Sequence, residues 1–204
     1  MRLPFFIIDA NQRGNCMRLT VEICVLVMMI CNCASAAGEN LVVFKSVGDV
    51  SPELTSRVND WVRQNVGPLT NCGAIKTNKK TFAEIAKIAG HSKEGRVILI
   101  LVDQIPTSTQ HLYNANGVVI LNLAVLRPIN MTTAAAKATF VQRVEAESVG
   151  GVTASLGMPP CPFIRCALYT AKTTNEIDEK STNLCPPCLQ KWETLSRSVL
   201  RLTQ

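Results

Sequence analysis

Apolar residues recur along this chain at two spacings, and they predict an ordered succession of strands and helices. Runs rich in Val, Ile and Leu predict strands at residues 41–44, 96–102 and 118–123. Apolar positions three or four residues apart predict four helices, beginning after Ser51, near residue 80, near residue 133 and after Cys188. With residues 66–73 as a loop or short strand, the order β-α-β-α-β-β-α-loop-α predicts a single α+β domain.

Local signals predict where several of these elements begin and end. Ser51-Pro52 combines a helix cap with proline at the first helical position, and Gly90 ends the second helix. Asn116-Gly117 predicts a tight hairpin turn, and Gly150-Gly151 weakens the long third helix. The inward helix faces are predicted to hold Leu54, Val58, Trp61 and Val62, then Phe82, Ile85 and Ala86, and finally Leu189, Trp192, Leu195 and Val199.

The N-terminal stretch has the pattern of a secretory signal. A nine-residue apolar run, Ile23–Cys31, is too short to span a bilayer, and it is followed by a small-x-small site, Ala34-Ser35-Ala36. We expect translation to start at Met17 and cleavage to follow Ala36. Residues 1–36 are then an extension plus signal peptide, and residues 37–204 are a secreted or periplasmic domain with no stable membrane span. The alternative is an uncleaved N-terminal anchor.

Composition narrows the choice of partners. The chain is 47% apolar and only 5% aromatic, so aliphatic side chains must build the core. A net charge of +6 without a dense Lys/Arg run is typical of a solvated surface, and we expect no nucleic-acid partner. Asn130-Met131-Thr132 is an N-glycosylation sequon, which has that meaning only in a eukaryotic source.

The cysteines form an uneven set. Of nine, four fall in the predicted signal segment, which leaves Cys72 and two close pairs, Cys161/Cys166 and Cys185/Cys188. An odd remainder argues against a fully paired disulfide framework. Cys72 has no histidine beside it in sequence and is predicted to be a buried, inert thiol, with a nucleophile or an intermolecular disulfide as the alternatives.

The spacing C-x4-C-x18-C-x2-C favours a structural zinc site. Two short-spaced pairs let two turns each supply half of a thiolate tetrahedron. Pro162, Pro186 and Pro187 stiffen those turns, which lowers the entropy lost when the site forms. Two disulfides, or a redox C-x-x-C at Cys185 and Cys188, remain open on spacing alone.

Residues 145–195 resemble the C-terminal half of the archaemetzincins, zinc metalloproteases of the metzincin clan. The resemblance lies in Cys161-Pro162, Arg165-Cys166, Glu176, Asp178, Lys180-Ser181, Asn183-Leu184-Cys185-Pro186 and Cys188-Leu189. It implies a metzincin-like α+β domain with a mixed sheet, packed helices and a C-terminal loop stapled by zinc. It also implies one structural zinc per chain, held by Cys161, Cys166, Cys185 and Cys188.

The family's catalytic motif, H-E-x-x-H-x-x-G-x-x-H, is not preserved. In the register we favour, Ser148, Val149, Val152 and Met158 stand where the first histidine, the glutamate and the other two histidines belong. None of these side chains offers an imidazole or a carboxylate to a catalytic zinc. Core packing is therefore the predicted task of this helix.

Few other residues are able to replace the lost ligands. His91 lies in a polar turn and is predicted at the surface, whereas His111 precedes the hairpin and is a conceivable ligand. Glu145 and Glu147 are two apart, so they point to different sides of the helix and form no acid/base pair. We expect both of these carboxylates on a solvated face.

These observations predict a secreted, catalytically degenerate archaemetzincin-like protein, a metalloprotease homologue that is not an enzyme. Its partner is expected to be a peptide or protein, bound in the vestigial cleft. One alternative is an active zinc metallopeptidase with atypical ligands around His111. Another is a thiol–disulfide protein that uses the Cys185/Cys188 pair.

Overall fold

Five strands form one mixed sheet on which the other elements pack. The computed structural model describes residues 40–78, 81–90, 96–105 and 108–202, so the predicted signal segment and His91 lie outside the described residues. The strands are β1 (Val42–Val47), β2 (Leu69–Ile75), β3 (Val97–Val102), β4 (Leu112–Ala115) and β5 (Val118–Asn122). Their order is β2-β1-β3-β5-β4, and every neighbouring pair is parallel except β4 and β5.

Six helices complete the described part of the chain. They are α1 (Pro52–Asn65), α2 (Phe82–Ala89), α3 (Leu123–Leu126), α4 (Ala134–Ser155), α5 (Thr174–Glu179) and α6 (Pro186–Leu202). Within the described ranges, none of them has the length and apolar character needed to cross a bilayer. The predicted α+β class with a mixed sheet and packed helices is confirmed.

The central strands are buried on both faces, because helices cover both sides of the sheet. Along β3, Leu99 and Leu101 enter the core beneath α1 and α4, while Ile98 and Ile100 enter the core beneath α2. Strand β5 alternates in the same way. Because successive residues enter a core on one face or the other, nearly every position of both strands is apolar in the sequence.

Short polar side chains begin the helices where the sequence predicted them. The Ser51 hydroxyl accepts a hydrogen bond from the Leu54 amide at 3.2 Å, and Thr81 and Thr133 cap α2 and α4 in the same way. The hairpin between β4 and β5 turns at Asn116 and Gly117, whose φ angles are +53° and +72°. Positive φ at both positions is the backbone of a type I′ turn, and the predicted hairpin turn is confirmed.

Several details differ from the sequence predictions. Leu123 starts α3 instead of ending β5, and β4 and α5 were not predicted. The segment offered as a loop or short strand is strand β2, with a register shift against β1 that leaves Gly73 at φ +75°. Trp61 is only half-buried and Leu189 is exposed, although the helical spacing predicted both on inward faces.

Helix α4 runs unbroken through its two glycines. A Cβ atom on Gly150 would lie 2.1 Å from the Ala167 carbonyl oxygen, and one on Gly151 would lie 2.7 Å from Val119 Cγ1. The glycines cost helix propensity, but they let α4 approach both the sheet and the segment that follows Cys166. The predicted weak point is therefore a point of close packing.

Candidate functional site

The four predicted zinc ligands lie together at the C-terminal end of α4. The sulfur atoms of Cys161, Cys166, Cys185 and Cys188 are all within 4.8 Å of one another, and all four residues are buried. Among the described residues, no other group of three or more His, Cys, Asp or Glu side chains is placed to hold a metal ion. The Cys161–Cys185 sulfur separation is 3.8 Å, well beyond a disulfide bond, and the cysteines are free thiols.

Two turns and a helix start bring the cysteines together. The Cys166 amide donates to the Phe163 carbonyl at 3.0 Å, which folds the first pair into a tight turn. Cys185 immediately precedes α6, and Cys188 lies in its first turn. The Cys185 amide donates to Cys166 Sγ at 3.3 Å, a contact that stabilises negative charge on that sulfur.

The surroundings of these thiols suit a cation. Burial raises the pKa of the Cys166 and Cys188 thiols. Burial also acts to raise the pKa of Cys185, but hydrogen bonds from the Cys188 backbone and from the neighbouring thiols outweigh it and lower that pKa. Four thiolates in one buried site need a positive charge to coexist. The donor set and its burial fit zinc, so this group can hold a zinc ion.

A second feature is a charged pocket, enclosing about 210 Å³ between α4, β4 and the segment after Cys166. Its polar centre is an ion pair, in which Lys180 Nζ donates to Glu147 Oε1 at 2.6 Å. Both side chains are only 2% exposed. His111 Nε2 lies 3.5 Å from the other carboxylate oxygen, Glu147 Oε2.

The ion pair determines the charge of Glu147. Burial acts to raise the pKa of its carboxyl group, but hydrogen bonding from His111 and the charge of Lys180 together hold that pKa below the ordinary value of a glutamate. Glu147 is therefore a carboxylate at neutral pH, neutralised from within the protein.

The prediction of a solvated face for Glu145 and Glu147 is wrong. Glu145 is 5% exposed and accepts a 2.8 Å hydrogen bond from Arg57 Nε of α1, while Glu147 reaches Lys180. The two carboxylates do point to different sides of the helix, as expected. They are buried because each one has a cation delivered by another element.

Helix α4 buries a third charge by the same means. Arg143 donates through Nε and Nη2 to both oxygens of Asp178 in α5, at 2.6 and 2.7 Å. Its third donor, Nη1, reaches the Leu126 carbonyl at 2.9 Å. Planar two-point pairing of this kind is the strong form of an arginine–carboxylate contact.

The residues proposed at the lost catalytic positions do not line the charged pocket. Val149 and Val152 are fully buried in the core against the sheet, and Met158 joins the same core. Ser148 is also fully buried, and its hydroxyl oxygen has no hydrogen-bond partner in the described part of the protein. Their register against the family motif stays a prediction, and their packing agrees with the core role expected for this helix.

The pocket instead presents another set of helix positions, namely Glu147, Gly150, Gly151 and Ala154. Glu147 and Gly151 are one turn apart on the same side of α4. His111 meets one carboxylate and an ammonium here, and the described residues place no third His, Cys, Asp or Glu side chain beside it to make a metal site.

One sequence prediction about a cysteine differs from the structure, and one residue of the charged pocket was not predicted. Cys72 is half-buried in β2, where it was predicted to be buried, and it does not belong to the cysteine group. Lys180 was not identified from the sequence as the partner of Glu147. The two are 33 residues apart, so no local spacing marks the pair.

Comparison with known proteins identifies the fold. No protein-family model matches the chain, and no curated protein does. The crystal structure of archaemetzincin from Methanopyrus kandleri matches with a TM-score of 0.61 and 14% identity, over 78% of this chain and 97% of that one. A zinc-dependent peptidase from Methanocorpusculum labreanum matches with a TM-score of 0.57 and 14% identity, over 78% and 99%.

A third match is archaemetzincin from Archaeoglobus fulgidus in complex with malonate, with a TM-score of 0.55 and 16% identity, over 74% of this chain and 99% of that one. All three solved structures are thus matched over nearly their whole length. The expected archaemetzincin-like fold is confirmed. At identities of 14–16%, the similarity shows a shared fold and nothing beyond it.

We predict that the buried pair is coupled in its contribution to stability. Glu147→Gln or Lys180→Met alone should lower the free energy of unfolding by about 3–5 kcal/mol, because each leaves a buried polar or charged group without its partner. The double variant should lose much less than the sum. Urea unfolding of all four proteins measures the coupling, and Glu193→Gln, at an exposed position of α6, is the matched control. Additive losses would contradict the pair.

We also predict an acid-sensitive contribution from Glu147. Because its folded-state pKa is lowered, it stabilises the fold fully above the unfolded value of about 4.3, and this contribution is lost as pH falls through the folded-state pKa. The difference in unfolding free energy between wild type and Glu147→Gln should therefore shrink from pH 6 towards pH 3. A difference that stays constant across this range would contradict the prediction.

Proposed function

We propose that this archaemetzincin-fold chain is a secreted, zinc-stapled protein without a catalytic metal, which binds a peptide or protein segment at its charged pocket. The observation that carries the proposal is the Lys180–Glu147 pair. The pocket holds one carboxylate, and an internal ammonium group already neutralises it at 2.6 Å.

The cysteine centre supports a structural role for zinc. Four thiolates complete a tetrahedron and leave no open position for a reactive water, which is the arrangement of structural zinc sites. The centre joins the segment after α4 to the start of α6, so a bound ion would clamp the C-terminal third of the described chain. When zinc is bound, it supplies this clamp and withdraws charge from the four sulfurs.

The charged pocket is poorly suited to a catalytic zinc. Such a site needs about three nitrogen or oxygen ligands and an open position. Of the His, Cys, Asp and Glu side chains that usually bind zinc, the described lining offers His111 and Glu147 alone. The positive charge of Lys180 would repel a divalent cation at the same place. An active peptidase with atypical ligands would therefore have to displace a buried ammonium group.

The edge of the sheet beside the pocket supports peptide binding. Strand β4 is the last strand on its side and has no neighbour beyond it among the described residues. The Asn122 amide donates to the His111 carbonyl at 2.9 Å, which fixes the alternation of paired residues along the hairpin. The backbone groups of Leu112 and Asn114 then face away from β5, where an extended peptide is able to pair with them.

Secretion completes the proposal and rests on the N-terminal signal pattern of residues 1–36. The mild positive charge, without a basic run, supports a solvated surface and a partner other than nucleic acid. In an oxidising compartment the four thiols need protection, and a bound zinc ion provides it.

A thiol–disulfide function is the second candidate, and one observation favours it. Cys185 directly precedes the first residue of α6 in a C-x-x-C sequence, and its pKa is lowered. The presence of Cys161 and Cys166 within the same group argues for metal binding instead, because a redox pair works with two cysteines.

Metal content and thiol count separate these candidates. We predict one zinc per chain for the mature protein purified without added metal. Four thiols besides Cys72 should become reactive on unfolding in the presence of a chelator. Cys161→Ser should reduce zinc to a small fraction of one equivalent, and Cys72→Ser should leave it unchanged. Two zinc ions per chain would support the peptidase, and no zinc with an oxidised Cys185–Cys188 pair would support the redox function.

Peptide binding should depend on access to the charged pocket. Thr170 is exposed and lines the pocket, so Thr170→Trp should obstruct the pocket and weaken binding of a peptide selected from a random library at least tenfold. Asn175→Trp, at an exposed position of α5, is the matched control and should bind as wild type does. Fluorescence anisotropy measures both. Failure to select any peptide, or equal affinity in both variants, would contradict the proposal.

A further inference from the structure

We propose that Asn130 is an acceptor site for an N-linked oligosaccharide. This inference rests on the proposed secretion and on a eukaryotic source, since the modification requires passage through a compartment that holds the transferase. Asn130-Met131-Thr132 is the only Asn-X-Ser/Thr sequence in the whole chain, so the proposal concerns a single position.

The loop between α3 and α4 turns the sequon outward. Asn130 and Thr132 are exposed, while Met131 between them packs against the core that lies beneath α1 and α4. Met131 therefore anchors the loop, and its two neighbours point to solvent. A glycan added to the chain before folding is compatible with the native fold only where the acceptor stays at the surface, and this loop meets that condition.

The side chains of the sequon contact each other in the folded protein. Asn130 Oδ1 accepts from the Thr132 amide at 2.9 Å and from the Thr132 hydroxyl at 2.7 Å. Both contacts use the oxygen of the asparagine side chain. The amide nitrogen Nδ2, to which a sugar would be attached, donates no hydrogen bond within the described part of the chain.

Space around the acceptor is open on the preceding side as well. Ile129 is fully exposed, so nothing in the described structure packs on it. An oligosaccharide extending from Nδ2 therefore meets no protein wall at Ile129, and its first sugar rings are able to cover this apolar side chain.

The site is also clear of the proposed peptide-binding pocket. Asn130 precedes α4, whereas Glu147 lies 13 residues into that helix from Ala134, a distance of about 20 Å along the axis at 1.5 Å per residue. A glycan at Asn130 would keep the loop soluble and leave the pocket open.

The modification is a glycosyl transfer from a lipid-linked oligosaccharide diphosphate. A bond forms between Asn130 Nδ2 and the anomeric carbon of the first sugar, and the bond between that carbon and the phosphate oxygen breaks. The lipid diphosphate leaves with the electron pair, and a base of the transferase takes the proton from Nδ2. No oxidation or reduction is involved.

The test is secretion of the full-length chain from cultured eukaryotic cells, once with its own N-terminus and once behind the signal of an established secreted protein. We expect a gel shift that a peptide-N-glycosidase removes, with Asn130 converted to aspartate in the mass spectrum. Asn130→Gln and Thr132→Ala should abolish the shift. Thr132→Ser, which keeps the hydroxyl, should retain it at least in part, and Asn175→Gln should retain it fully.

The two forms separate a failure of this inference from a failure of the proposed secretion. Modification of the chain with its own N-terminus supports both. Modification only behind the foreign signal would overturn native glycosylation because the chain does not enter the pathway, while the acceptor itself is competent. A secreted but unmodified chain in either form would overturn the acceptor site, and the proposed secretion stands in that case only if the form with its own N-terminus is secreted.

Discussion

The constraint on which the rest of this structure depends is the burial of charge on α4. Arg143, Glu145 and Glu147 lie on a stretch of this helix that is buried on every side, and an unpaired charge there would cost several kcal/mol. Two of the partners, Asp178 and Lys180, come from the segment between the two cysteine pairs. The cysteine centre is therefore more than a local clamp, because it fixes the ends of the segment that neutralises the helix.

The elements with strong local causes were predictable from the sequence. The cap at Ser51, the turn at Asn116-Gly117 and the apolar run of β3 each depend on a few adjacent residues, and the structure has all three. Strand β4 and helix α5 escaped prediction because their short sequences carry weak periodicity and are stabilised by neighbours. Tertiary packing also explains why Gly150 does not interrupt α4. Its low helix propensity predicted a weak point, but the missing side chain allows close contact with Ala167.

The two candidate sites differ in how visible they were. Four cysteines in two close pairs predict a metal centre. Their spacing is visible in a short stretch of sequence, and zinc is the metal that such thiolate sets usually bind. The charged pocket was not predictable from the sequence. Glu147 has the pattern of a solvated helix position, and its partner Lys180 lies 33 residues further along the chain. Buried ion pairs of this kind are set by topology, and a single sequence contains no short-range signal for them.

The strand order also has a consequence for biosynthesis. All five strands lie between residues 42 and 122, so the complete sheet is made before Cys161 leaves the ribosome. Until α4 and the cysteine segment follow, one face of that sheet, with Leu99 and Leu121, has only part of its cover. A nascent chain in this state is prone to aggregation, and a chaperone that shields the open face would protect it. Folding would then be completed from the C-terminal segment, when the cysteines bind metal and Asp178 and Lys180 pair with the charges of α4.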